Sequence, residues 1–385
     1  MAMLETCTAR LGAILADAER LMSCESPSDD LAAIARSADV VADVVGARLA
    51  EAGLPSTPDR IVIGGCSHLR WRFGGRGRVV VLTHHDTVWP IGSLATHPVR
   101  IADGILSGPG CFDMKVGLAQ AVHAIAALAE RGGPTAVEGV TLLVTGDEEI
   151  GSPTSRSLIE DEARGSKAVF VLEAAGPDGS LKTARKGASV YGVDVTGRAA
   201  HAGLEPEKGV NAVVELAAQI PVIAALANPD HGTTVTPTRL RADTTVNTVP
   251  AHAHLDVDVR ATTAAEQRRV DRGMRSLEST LSGSRIDVSG GISRPVMERS
   301  NTAHLFARAT ALADAAGIHP LHAIAVGGAS DGNLTAGKGV PTLDGLGAVG
   351  GGAHAADEHV ITEHIPHRTA LVALLIEDTL AGGGR

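Results

Sequence analysis

The run VVVLTHHDTVWP, residues 79–90, leads four aliphatic side chains straight into His84, His85 and Asp86. The aliphatic residues predict a buried strand. An imidazole and a carboxylate two residues apart at its tip call for another explanation than packing. Four more stretches share this character: GPGCFDMK (108–115), GDEE (146–149), LEA (172–174) and GGAHAADEH (351–359). Together they offer the donors of a hydrolytic site holding two divalent ions. Such a site needs nitrogen and oxygen ligands, one carboxylate shared by both ions, and a base for the attacking water. Residues i and i+2 of a strand share a face, so Asp86 can reach the back of His84 and fix its tautomer. The adjacent acids Glu148 and Glu149 can diverge at a strand tip, one toward a metal and one toward water.

Plainer roles compete at several of these positions. His85 is expected on the opposite face of the strand, in a structural role. His354 is preferred over His359 as a ligand because it directly follows the glycine run. Asp147 can serve as a turn cap, and Asp113 as the N-cap of the helix beginning MKVGLAQAV, a role compatible with bridging two ions. Lys115 is expected to be solvated or to support the ligands from behind. Cys111 has no base paired with it and reads as packing. The glycines at 350–352 lack the pattern of a phosphate loop.

Positioning these residues takes strands whose ends meet. RIVIGG, LRWRFG, RVVVLTHH, GVTLLVTGDEE and AVFVLEA read as strands, and residues 8–24, 30–53, the segment DMKVGLAQAVHAIAALAERGG and the C-terminal EHIPHRTALVALLIEDTLAG as helices. Apolar strands alternating with helices predict an α/β fold, a mainly parallel sheet flanked by helices, with ligands beyond the carboxyl ends of the strands. The middle of the chain differs. Strand, helix, strand, strand, helix and strand follow in ASVYGVDVTG, EKGVNAVVELAAQIPVIAALA, TTVTPTRLRA, AHLDVDVRA, TAAEQRRVDRGMRSLESTLSG and RIDVSGG. This is the split-βαβ order of a small ferredoxin-like α+β domain. The expected division is a discontinuous domain of residues 1–187 and 295–385, interrupted by an inserted domain of residues 188–294.

Composition narrows the function classes. A chain of 385 residues with 34 Lys+Arg against 44 Asp+Glu has a net charge of −10, which argues against a general nucleic-acid or anionic-membrane binder. Aromatic residues at 2% leave little for base stacking. Four cysteines without a CxxC pair suggest neither a thiolate zinc site nor a disulfide framework. The N-terminal segment lacks the basic-then-apolar order of a signal peptide, and no apolar run is expected to reach membrane-spanning length, so a cytoplasmic protein is expected.

In combination, H-x-D-T-V, GPG-x-x-D-x-K-x-G, D-E-E-x-G-S, a lone Glu some 25 residues on and a late His resemble the co-catalytic dizinc peptidases and amidohydrolases. That family includes glutamate carboxypeptidase, acetylornithine deacetylase and succinyl-diaminopimelate desuccinylase, and the likeness is greatest to glutamate carboxypeptidase. The resemblance implies two Zn2+ per subunit, one held by His84 and Glu173, the other by Glu149 and His354, with Asp113 bridging. It implies that Asp86 orients His84, that Glu148 is the general base, and that the Asp113–Met114 peptide is cis. Met114 stands where relatives often have a second Asp. In the inserted domain it implies a homodimer in which His201, in GRAAHAG, stabilises the oxyanion of the partner subunit's site, and a substrate carboxylate held by Asn247 and Arg294. The expected activity is cleavage of an amide bond next to a free carboxylate. The enzyme would be carboxypeptidase-like, releasing C-terminal glutamate, or alternatively an N-acyl amino acid deacylase. A catalytically inactive dimeric binding protein is the rival from another class, opposed by the complete ligand set and the retained Glu148.

Overall fold

The structure, a computed structural model, describes residues 2–75, 77–242 and 244–382. The chain divides into two compact units. One comprises residues 1–184, 299–326 and 330–385; the other comprises residues 185–298 together with 327–329.

The first unit is built on a six-stranded sheet in the order Asp59–Ile63, Cys66–Phe73, Val140–Thr145, Val79–His84, Ala168–Val171, Thr342–Leu343. The first two strands run antiparallel as a hairpin and the remaining four are parallel. Within Val79–His84 every residue is buried. Val79 and Val81 enter one apolar cluster with the helices Leu11–Met22, Leu31–Glu51, Val116–Gly132 and Ile365–Ala381. Val80 and Leu82 enter a second cluster with Ile159, Ala163 and Leu334. Helices on both faces are the reason this strand is apolar without alternation. Each such side chain contributes roughly 1.5–3 kcal/mol by leaving water.

Local chemistry sets the element ends. Asp30 caps the helix Leu31–Glu51, its carboxylate accepting from Ala32 N and Ala33 N at 2.9 Å. The N-terminal helical segment starts earlier than residue 8 and is broken at Arg10, giving Met3–Ala9 and Leu11–Met22. The expectation about apolar runs needs correction: Cys111–Gly132 is long and apolar enough to span a membrane by composition. It lies 94% buried inside this unit, where its apolarity is that of a core helix.

The second unit is a four-stranded antiparallel sheet in the order Thr234–Arg241, His252–Ala261, Gly187–Thr196, Arg285–Arg294. Tyr191, Val193 and Val195 alternate inward and pack with Leu216 and Ile223 of the helix Ala212–Ala224 and with Val270 and Met274 of the helix Ala264–Arg275. This is the β-α-β-β-α-β order with ferredoxin-like strand arrangement.

The second of these helices stops at Arg275, although the sequence suggested continuation to about residue 283. Glu215, fully buried on the helix Ala212–Ala224, explains the stop. Its carboxylate accepts from Thr280 N at 3.0 Å, Leu281 N at 2.6 Å, Ser284 Oγ at 3.1 Å and Gln219 Nε2 at 2.7 Å. The backbone N–H groups that a longer helix would use are thereby engaged. Burial alone would raise the Glu215 pKa, but these donors hold it down at about 2. Its folded pKa lies below the ordinary carboxylate value, so the carboxylate contributes stability that is fully present above that value. That contribution is lost as pH falls toward 2. We predict that Glu215→Ala lowers stability by roughly 3 kcal/mol at pH 7. The deficit should shrink below pH 4. Chemical denaturation of both proteins at pH 7 and pH 3 checks this, and a deficit independent of pH would contradict it.

Candidate metal centre

Three strand ends deliver the first donors. His84 is the last residue of Val79–His84, paired in register with Thr145, the last residue of Val140–Thr145. Glu148 and Glu149 follow in a single helical turn, Glu148–Ile150. Glu173 lies two residues beyond the strand Ala168–Val171. Asp113 comes from a distorted turn, Cys111–Lys115, and not from a strand end. The Asp113–Met114 peptide is cis. His354 lies between the short strands Gly350–Gly351 and His359–Ile361. The second of these pairs with Ile105–Ser107, which brings the late His loop beside the turn that carries Asp113.

These residues form two triads sharing Asp113. His84, Asp113 and Glu173 present ligand atoms within 4.8 Å of one another, as do Asp113, Glu149 and His354. Asp113 turns one oxygen to each side: Oδ1 is 3.3 Å from His84 Nε2 and Oδ2 is 3.4 Å from His354 Nε2. Glu173 Oε1 is 3.6 Å from His84 Nε2, and Glu149 Oε2 is 3.1 Å from His354 Nε2. His84 Nε2, Asp113 Oδ1 and Glu149 Oε1 are buried and make no hydrogen bond. Buried polar atoms left so are costly. Their convergence with nitrogen and carboxylate chemistry fits a pair of divalent cations.

The electrostatics point the same way. Burial would depress the His84 pKa, but Asp113, Asp86 and Glu173 around it raise it well above its ordinary value. Asp113 and Glu149 raise His354 to about 10. Burial pushes Glu149 up to about 7, opposed by His354. Asp113 is held well below the usual carboxylate range against its burial, by His354 and His84. Three carboxylates facing two imidazoles thus draw positive charge into the cluster. Metal binding must displace those protons. His354 itself sits at φ 63°, a left-handed conformation that costs a non-glycine residue roughly 1–2 kcal/mol. Such strain is held where the surroundings enforce it, often at functional sites.

The supporting residues are specific. Asp86 is fully buried and lies just past the strand end. Its Oδ1 is 3.3 Å from His84 Nδ1, while the hydrogen bond from that nitrogen, at 3.1 Å, goes to the Asp86 backbone carbonyl. Both leave Nε2 as the ligand atom. The same carboxylate accepts from Glu148 N and Glu149 N at 3.2 and 3.1 Å and from Ser28 Oγ at 2.7 Å. His85 points away, bonded to Ser37 and to the Ser67 carbonyl. Asp147 accepts from Thr154 N, Thr154 Oγ1 and Ser155 N, closing the loop after the acids. Lys115 is not solvated: it is 2% exposed, and Nζ donates to the carbonyls of Leu21 and Cys24 at 3.0 and 2.7 Å. Burial lowers its pKa to about 8. Cys111 is fully buried among apolar neighbours.

Glycine shapes the approach at two points. Gly110 has φ 70°, and a Cβ there would meet Thr87 Cγ2 at 2.5 Å. A Cβ on Gly117 would meet the Leu172 carbonyl at 2.2 Å, so only glycine lets this helix lie against the segment carrying Glu173.

Glu358 was not singled out from the sequence. It is 3% exposed, and Oε1 accepts from Phe112 N at 2.9 Å and Asp113 N at 3.0 Å. Oε2 accepts from Gly110 N at 2.9 Å and Trp89 Nε1 at 2.7 Å. One carboxylate therefore fixes the whole turn that presents Asp113. The only sequence signal was its place four residues after His354 in GGAHAADEH. His359, the competitor of His354, bonds instead to the Asp357 carbonyl.

His201, Asn247 and Arg294 belong to the second unit and are not part of this cluster. His201 is exposed, and its Nδ1 accepts from Gly203 N at 3.1 Å and Leu204 N at 3.2 Å. Accepting at Nδ1 places the proton of the neutral ring on Nε2. The Asn247 carbonyl accepts from Ala202 N, and Thr248 bridges to His201, so the two loops are joined. Arg294 is 5% exposed, and its backbone carbonyl accepts from Gln267 Nε2.

Comparison with known proteins places the chain in a family. The chain is 30% identical over 383 residues to carboxypeptidase G2 from Pseudomonas sp. (strain RS-16), covering 96% of this chain and 90% of that one. It is 27% identical over 391 residues to succinyl-diaminopimelate desuccinylase from Methylorubrum populi, covering 92% and 99%. The fold matches that of the YXEP protein of Bacillus subtilis, a dinuclear metal binding peptidase, with a TM-score of 0.64, 15% identity, and 97% and 99% of the two chains covered. Residues 80–378 match the model of peptidase family M20/M25/M40, and the chain belongs to that family of metal-dependent hydrolytic enzymes.

Proposed function

We propose that the protein is a dizinc hydrolase that cleaves an amide bond next to a free carboxylate, in carboxypeptidase fashion, releasing a C-terminal amino acid such as glutamate. The observation that carries this reading is Asp113, with one oxygen facing each of two donor sets. His84 and Glu173 would hold one ion and Glu149 and His354 the other. When bound, the ions supply polarisation of the scissile carbonyl and a lowered pKa for the attacking water.

The remaining steps belong to the chain. Glu148 takes the proton from the attacking water and delivers it to the leaving amine. Its backbone is anchored to Asp86 at 3.2 Å, the same carboxylate that faces His84, so base and ligand keep one frame. His201, with its Nε2 proton, is suited to donate to the oxyanion. In the dimeric arrangement we propose, it serves the cluster of a second copy of the chain. Asn247 and Arg294 hold the substrate carboxylate. A second reading, an N-acyl amino acid deacylase, uses the same bond chemistry and is favoured by the full-length similarity to a desuccinylase. Release assays over dipeptides and N-acyl amino acids with added zinc separate the two.

Glu148→Gln should keep the metal content and thermal stability while losing ~10²–10⁴ in turnover. Near-wild-type turnover would place the base elsewhere. Glu358→Ala should leave the Gly110, Phe112 and Asp113 N–H groups unmatched and weaken metal affinity ~10–100-fold. Competitive chelator titration measures this, and unchanged affinity would mean that the turn holds its shape without Glu358. The shared site is tested by mixing Glu148→Gln with His201→Ala under verified subunit exchange. Each heterodimer has one doubly altered site and one intact site, so activity should recover toward half of wild type per heterodimer. No recovery would place His201 within its own chain's chemistry or outside catalysis.

A further inference from the structure

A second set of imidazoles converges within the α/β unit, built from residues that the hydrolytic reading does not use. His319 lies in the connection after the helix Arg299–Ala316, His364 is the N-cap of the helix Ile365–Ala381, and His367 is in that helix's first turn. One ring nitrogen from each lies within 4.8 Å of the others. The rings are tilted and not stacked: His319 and His364 have centroids 5.6 Å apart at 70°, and His319 and His367 have centroids 5.0 Å apart at 50°. His364 and His367 are three residues apart, the spacing that makes side chains neighbours at a helix surface.

Two details make this more than a crowd of surface histidines. The Glu363 carbonyl lies 3.3 Å from His367 Nδ1 and can only accept, so Nδ1 carries the proton and Nε2 presents a lone pair. A backbone carbonyl on the far nitrogen is how proteins commonly set a ligating histidine. Glu363 also places Oε1 3.9 Å from His364 Nε2, a carboxylate at the rim. His319 is exposed and the other two are half-buried, so an ion reaches the site from solvent. Tetrahedral zinc with Zn–N of about 2.0–2.1 Å sets nitrogens about 3.3 Å apart. Small side-chain rotations would close the triad to that spacing.

We propose that His319, His364 and His367 form an additional metal site for a borderline divalent ion such as zinc, with water or the Glu363 carboxylate completing the shell. The site clasps the connection at His319 to the start of the last helix. Because it would bind the folded chain, it stabilises that chain in proportion to free metal.

The test measures zinc bound per chain, after equilibration with micromolar free Zn2+ and desalting. It compares wild type, H319A/H367A, H84A/H354A and the quadruple variant. The H84A/H354A chain should retain one zinc that the quadruple variant lacks, and H319A/H367A should hold one ion fewer than wild type with unaltered kcat/KM. H319Q alone, at an exposed position, should weaken that zinc at least tenfold. Circular dichroism of the metal-free chains verifies that each folds. Equal zinc content with and without His319 and His367, or no zinc on a folded H84A/H354A chain, would overturn the proposal. Failure of the two-metal reading would show instead as equal content in wild type and H84A/H354A, a separate comparison.

Discussion

The carboxylate of Asp86 is the interaction on which the site depends. It is fully buried, yet its pKa is lowered: burial alone would raise it, and His84 and Ser28 more than offset that. A buried carboxylate persists only when its lone pairs are used. Here they face His84 Nδ1 and accept from Ser28 and from the backbone of Glu148 and Glu149. One group thereby sets the face that His84 turns to the cluster and fixes the turn carrying both acids. The parallel register of Val79–His84 with Val140–Thr145 brings these two strand ends side by side, which is why a single side chain can serve both.

Glu358 does for the other half of the site what Asp86 does for this one. Its carboxylate gathers the N–H groups of Gly110, Phe112 and Asp113. Both halves thus rest on a buried acid accepting from the backbone of a turn, an arrangement that holds ligands in place before any cation arrives. The surplus of carboxylate over imidazole and the left-handed backbone at His354 are unfavourable by themselves. They make sense as features offset by bound dications.

Much of this was legible in the sequence because strand-tip chemistry interrupts apolar runs. His84 and Glu173 close aliphatic stretches and Glu149 lies in the turn after another, and the order of strands and helices marked the second unit. Asp113 was legible as a residue, and its cis peptide through the resemblance, but the turn around it was not, since its backbone is neither strand nor regular helix. Glu358 was hidden because the donors in the Asp113 turn lie some 245 residues away and are backbone atoms, which leave no side-chain pattern. The same holds for the early end of the helix Ala264–Arg275, which is imposed by Glu215 from another helix. Of the two roles expected for Lys115, the solvated one is excluded by the carbonyls of Leu21 and Cys24 that receive its ammonium, partners that no side-chain pattern announces.

The central claim is that one chain-borne carboxylate, Asp113, lies between two metal ions. Anomalous scattering from crystals of the zinc-loaded protein, collected on both sides of the zinc edge, tests it most directly. The account predicts two peaks flanking Asp113, one beside His84 and Glu173 and the other beside Glu149 and His354. A single peak in this cluster, or two peaks of which neither touches Asp113, would contradict it.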